Sequence, residues 1–196
     1  MVTPIHRSHR DALRHATRDW HARLEQTRVM KAVLLGTCTA DQYGVYLSGM
    51  QALVASLLAS PALPPGTSFL AKALGARAEW LGQDLRAMRL TPTQPLPVRL
   101  ESQAQLWGAA YVVEGSALGA RVLHRQLLAR PDLHKALRAL QGWGGQSAQH
   151  WQTFVSQLDQ LPLEDAALMQ ETACLVFEEL HRRFNESASP HLGAAT

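Results

Sequence analysis

The chain has 196 residues, 18% of them charged, and a formal net charge of +3; that length fits one domain with its own core and calls for no second domain or disulfide staple. The positive charge is almost all arginine, with Lys31, Lys72 and Lys135 the only lysines, and it is scattered along the chain, which argues against the basic stripe of a nucleic-acid binder. Alanine and leucine recur while β-branched runs are missing, so an all-α fold is expected.

Ser8 is placed to cap a first helix with Asp11 in capping-box position, and Leu13, Ala16, Trp20 and Leu24 give that helix an apolar face. A second stripe shares the helix. Thr17, His21 and Glu25 follow one another at intervals of four, so at about 3.6 residues per turn they stand one above another. A carboxylate one turn away can accept the Nδ1 proton of an imidazole, which leaves the Nε2 lone pair aimed outward as a metal ligand needs. The same spacing also describes an ordinary exposed helix pair.

A turn is expected near Gly36. Thr39-Ala40-Asp41-Gln42 is a capping-box pattern, after which Tyr43, Leu47, Met50, Leu53, Val54, Leu57 and Leu58 repeat at helical spacing as far as Pro61. This is the expected central buried helix. Ser48, Gly49 and Gln51 interrupt its apolar run, which falls short of the roughly 20 residues that span a membrane. Proline-rich stretches at 61–66 and 91–97 flank a third helical segment over 69–88 and read as loops within one domain.

From about 100 to 129 the pattern is one long helix, yet its middle holds Gly115 and Gly119 on one face, with Ser116 and Ala120 beside them. Each glycine costs about 1 kcal/mol against alanine in a helix interior. The bare strip lets another body approach the main chain closely, and the weakened helix is expected to kink there. Close helix–helix packing is the alternative use of such a strip. A shorter helix over 131–140 and two more over 148–160 and 163–184 complete the expected domain, 1–185, with 186–196 as a flexible tail. Cys38 and Cys174 are far apart in sequence, and residues 1–7 lack an apolar run, so free thiols, no signal peptide and a cytoplasmic location are expected.

Two helices together carry a resemblance. Leu13, Arg14, Ala16, Thr17, His21 and Glu25 match the proximal-helix pattern of the haem oxygenases with nothing displaced, and Tyr111-Val112-Val113-Glu114-Gly115-Ser116-Ala117-Leu118-Gly119 resembles the glycine-containing distal helix of the bacterial members. Ala78-Glu79-Trp80-Leu81-Gly82-Gln83-Asp84-Leu85 and Phe177-Glu178-Glu179-Leu180 are similar to two further blocks of the family, in the same order. The likeness is greatest to the bacterial type that accompanies phytochrome photoreceptors or releases haem iron.

The resemblance implies a helical bundle holding haem between the N-terminal proximal helix and the kinked distal helix. It implies His21 as the iron ligand, Glu25 as the group that orients it, and Gly115 and Gly119 as the backbone brought down onto the porphyrin. Arg14 is the implied propionate partner, with Arg121, Lys31, Lys135, Arg182 and Arg183 as substitutes, while Thr17, Tyr111 and Phe177 are expected to line the pocket. The activity implied is haem cleavage to biliverdin, CO and Fe²⁺ with haem b as both substrate and cofactor. It requires O₂ and an external donor such as a ferredoxin or reductase, since the chain has no flavin or nicotinamide motif. Biliverdin would pass to a bacteriophytochrome or mark iron release, and neither nucleic acid nor membrane is an expected partner.

One position departs from the pattern: many relatives place a carboxylate directly after the first distal glycine, where this chain has Ser116. A hydroxyl can hold a water there but does not carry a charge. The competing readings are a haem-binding or storage protein without turnover and a helical relative acting on another small molecule. His15, His124, His134, His150 and His181 lie on expected helices without a partner pattern, and His6, His9 and His191 lie near the ends; most are expected at the surface. Trp107, Trp143 and Trp151 are expected as core or loop anchors.

Overall fold

The computed structural model describes residues 8–186. The helices are α1 (His9–Gln26), α2 (Arg28–Leu34), α3 (Ala40–Leu58), α4 (Phe69–Ala87), α5 (Gln103–Leu127), α6 (Arg138–Gln141), α7 (Ser147–Leu158) and α8 (Ala166–Glu186), with short 3₁₀ turns ahead of α7 and α8. No strand occurs among the described residues, in agreement with the all-α expectation. The expected tail, apart from Glu186, lies outside the described residues, as do His6 and His191. No helix of the described residues is long and apolar enough to cross a membrane.

The two caps read from the sequence set their helix starts: Ser8 accepts the Asp11 amide at 3.2 Å, and Thr39 forms a reciprocal capping box. Ser102, which the sequence reading did not single out, forms a second capping box at the start of α5. α3 is the central helix, with Tyr43, Leu47, Leu53 and Leu57 fully enclosed. The sequence reading missed α2. Thr27 ends one helix and begins the next, its hydroxyl donating to the Leu24 carbonyl at 2.8 Å and accepting the Met30 amide at 3.3 Å. Val29 and Val33, one turn apart, then bury the new helix.

The expected helix over 131–140 is replaced by turns and the single-turn α6. Tertiary partners take the backbone groups that a helix would have used: the Tyr43 hydroxyl donates to the Ala136 carbonyl at 2.8 Å, and Asp84 on α4 accepts the Arg138 and Ala139 amides at 2.8 and 2.7 Å. The long helix, by contrast, is uninterrupted through Gly115 and Gly119. Burial on neighbouring helices offsets the cost of both glycines.

α8 is the common floor for α1 and α5. Both pack along it extensively, yet they scarcely touch each other. α1 runs parallel to α8: the His9 ring donates to the Leu161 carbonyl just ahead of α8, Cys174 contacts the Ala16 carbonyl, and Trp20 meets the His181 ring near the far end. α5 begins at the same end, because Gly108 lies against the Met169 backbone; its other end reaches Gly36, beyond α2. The two helices therefore stand side by side in the same sense on one floor, with a cleft between them.

The α5–α8 approach depends on Gly108, where an added Cβ would sit 2.3 Å from the Met169 carbonyl oxygen. A backbone atom cannot swing aside as a side-chain tip can. Gly108→Ala is expected to lower stability by about 2 kcal/mol or more, read as a fall in thermal midpoint; an unchanged midpoint would show that α8 yields at no cost.

Candidate functional site

The first wall of the cleft is α1. Its buried residues, His9, Leu13, Thr17 and Leu24, face the bundle, while His21 projects with its side chain 61% exposed. His21 Nδ1 lies 3.5 Å from Glu25 Oε1, a close contact that a small side-chain rotation converts to a hydrogen bond. The Phe177 ring, buried on α8, meets the imidazole edge to face at 5.8 Å and limits its swing. One turn earlier, Thr17 bonds the Leu13 carbonyl at 2.8 Å and approaches the half-buried Tyr111 of α5. Burial raises the Tyr111 phenol above its usual range, and the Thr17 hydrogen bond and the Arg14 charge oppose that rise. Arg14, Thr17 and Tyr111 thus gather at the end of the cleft where the two walls come together.

From that meeting point, one turn along each helix leads to His21 on α1 and Gly115 on α5, and the next to Glu25 and Gly119. A Cβ placed on Gly119 would meet nothing within 4 Å, and one on Gly115 would only reach the Trp151 ring at 4.0 Å. The glycines therefore serve no close helix packing here; they leave backbone open to the cleft. Ser116, exposed between them, donates its hydroxyl to the Val113 carbonyl at 2.7 Å. Ser116 also borders a cavity of about 30 Å³ shared with Tyr46, Arg77, Val113, Ala117 and Ala120.

Behind this strip lies a group that local spacing did not reveal. Glu114, 1% exposed, accepts two hydrogen bonds from Arg77 of α4, from Nε and Nη2 at 2.8 Å each, and a third from His150 Nε2 of α7 at 2.8 Å. Burial alone would raise the carboxyl pKa, but the Arg77 charge and the bonds from His150 and Arg77 outweigh it and hold the group near 2. Glu114 is consequently an ionised acceptor, and His150 presents it an N–H.

The surface expectation for His150 is corrected: its ring stacks on Trp143 at 4.2 Å and approaches Phe69 at 4.8 Å. His9 is likewise buried, with its ring spent on the Leu161 carbonyl. Their partners lie 36 and 152 residues away, so no short-range pattern signals either. Trp107 stacks on Phe154 and Trp151 on Phe154, both as anchors.

No protein-family model matches the chain. The haem oxygenase of Xanthomonas campestris pv. campestris (strain 8004) is 32% identical over 118 residues, a stretch covering 58% of this chain and 70% of that relative. The chain belongs to the haem oxygenase family. The fold agrees. The haem oxygenase of Leptospira interrogans superposes with a TM-score of 0.70 at 18% identity, over 92% of this chain and all of that one. The Neisseria meningitidis haem oxygenase, solved with NO and CO bound, gives 0.70 at 21% identity over 92% of each chain. Haem oxygenase-1 of Synechocystis sp. PCC6803 in complex with haem gives 0.67 at 17% identity over 93% of each.

The donor set of this family member fits a haem better than a bare ion. Among the described residues no three His, Cys, Asp or Glu side chains converge as a metal cluster, and His21 brings a single imidazole to the cleft. One nitrogen is too few for a free cation but would suffice for an iron whose other ligands a porphyrin supplies. Among the candidate propionate partners, Arg14 has no carboxylate within ion-pair distance among the described residues, whereas Arg182 is engaged by Glu179 and Glu186 at 2.7 Å each. Arg183 is half-buried, and that burial lowers its pKa. Arg121, Lys31 and Lys135 stand exposed.

The buried carboxylate makes stability depend on pH in a fixed direction. Its folded pKa, near 2, lies below the ordinary value of 4.5, so its contribution is complete above that value and is lost as pH falls toward 2. The shift corresponds to roughly 3 kcal/mol. Urea unfolding of the native chain is expected to steepen over this acid range relative to Glu114→Gln; identical slopes for the two proteins would show that the carboxyl is not held ionised.

Proposed function

We propose that this protein cleaves haem to biliverdin, CO and Fe²⁺, consuming O₂ and electrons from a separate ferredoxin or reductase. The single observation carrying this reading is the pairing of a lone imidazole, His21, with a facing wall of uncovered backbone at Gly115 and Gly119. Haem, when bound, supplies the iron and its oxygen chemistry; the chain supplies position, enclosure and proton contacts.

His21 Nε2 is the iron ligand. Glu25 holds the Nδ1 proton, which fixes the ring's tautomer and raises its basicity. Phe177 limits rotation of the imidazole about its own bond. Arg14 stands at the end of the cleft to pair with a propionate, a contact that sets how the macrocycle is turned in its plane. Tyr111 and Thr17 close that end. On the opposite wall, the strip at Gly115 and Gly119 lets the main chain come within van der Waals contact of a flat ligand, which excludes bulk water and favours attack at one edge.

Ser116 takes the place of the carboxylate many relatives carry. Its hydrogen is committed to the Val113 carbonyl, so its oxygen offers lone pairs to a water donor. This is also the residue that favours the second reading, a haem-storage protein, since a hydroxyl moves a proton less readily than a carboxylate. On the haem-cleaving reading the product's destination is a biliverdin-binding bacteriophytochrome or an iron-release route, and the working location is the cytoplasm.

Titration with hemin, followed by ascorbate or a ferredoxin system under air, separates these readings. Uptake and conversion to biliverdin are expected. An unchanged Soret band would leave a storage protein, and failure of the native chain to bind hemin would point to another small molecule. His21→Ala is expected to keep the far-UV circular dichroism while losing the imidazole-ligated ferric spectrum; an unaltered spectrum would remove His21 as the ligand.

A further inference from the structure

We propose that Glu114, gripped by Arg77 from α4 and His150 from α7, is the positioning residue that fixes how α5 presents Gly115 and Gly119 to the ligand. The proposal rests on the haem-cleaving reading for the identity of that ligand, but its mechanical half stands on the fold.

The glycine strip has no side chain with which to lock its own height or rotation. A neighbour on the same helix must do so from behind. Glu114 directly precedes Gly115 and points about 100° away from it, into the bundle. Its two oxygens are held from two different helices: Arg77 spans both, and His150 adds a third bond at Oε2. A carboxylate tied to two flanking helices resists both rotation of α5 about its axis and sliding along it, whereas an apolar contact at that point would resist neither so sharply.

Immediately beyond Glu114 the support falls away. The back of the next turn faces the cavity bordered by Val113, Ser116, Ala117 and Ala120, and the front is open at Gly119. Of the five residues from Ser116 to Ala120 only Ala120 is buried, so this turn is packed on one side alone and by small side chains. The ionic grip is thus the last fixed point before the part of α5 that meets the ligand. The His150 ring is in turn held between Trp143 and Phe69, at 4.2 and 4.8 Å, so the grip does not rest on mobile side chains.

Two variants test this on the full chain. His150→Phe removes one bond and keeps the Arg77–Glu114 pair, and Arg77→Met with Glu114→Leu removes both charges together, which spares the protein an unpaired buried ion. Hydrogen exchange on the ligand-free proteins is the first readout. The amides of the turn from Ser116 to Ala120 are expected to exchange about fivefold faster or more, with α1 and α3 unchanged. The second readout is the ratio of biliverdin isomers at equal hemin occupancy, expected to broaden in both variants. Exchange that is unchanged in both variants, or raised uniformly along the chain, overturns the proposal, and so does an isomer ratio identical to the native one. Failure of the native chain to take up hemin is a separate result: it overturns the haem reading, and the exchange measurement still decides whether Glu114 holds the turn.

Discussion

A carboxylate enclosed in the middle of a helical bundle sets the terms for the helices around it. Glu114 is shut off from bulk solvent, and an uncompensated charge in that position is strongly unfavourable. Its presence therefore obliges α4 to deliver Arg77 and α7 to deliver His150 to one point on α5. Three helices far apart in sequence are brought into register by a single charge. The aromatic packing of Trp143, His150 and Phe69 follows from that requirement, because the imidazole must be both buried and held in one orientation.

The opposite side of α5 is arranged by a different constraint, the absence of packing. α1 and α5 share α8 as a floor, and the space between them is bounded by an imidazole, a phenylalanine edge and bare backbone. A charged, highly directional anchor on one face and an uncovered main chain on the other form a functional division within one helix. The directional contacts lie on one side of the helix, and the side proposed to meet haem carries the uncovered main chain of Gly119. The two glycines reduce helix propensity without interrupting the helix, since the neighbours on its other faces supply what propensity lacks.

Much of this was legible in the residues. The capping signals at Ser8 and Thr39 and the helical repeat from Tyr43 to Leu57 located the main elements because they act over one or two turns. The His21–Glu25 spacing and the Gly115–Gly119 strip were readable for the same reason. Long-range partners were not. Nothing near His150 or His9 in sequence announces Glu114 or the Leu161 carbonyl, so both histidines read as surface groups. The segment over 131–140 misled for a related cause: Tyr43 and Asp84 claim its backbone groups from elsewhere in the fold and leave only one helical turn. Thr27 serves two helices at once, and its double role hid α2.

The parallel pairing of α1 with α8 has a consequence for the order in which the molecule is made. α1 leaves the ribosome well before its main packing partner, α8, and the His9 ring bonds a carbonyl 152 residues downstream. Helices α3, α4 and α5 find one another early, through contacts of moderate sequence separation, whereas the histidine-bearing helix has nowhere to dock until α8 has been synthesised. A nascent chain thus carries the glycine wall without its counterpart, and the proposed haem cleft forms only once α8 is available as its floor.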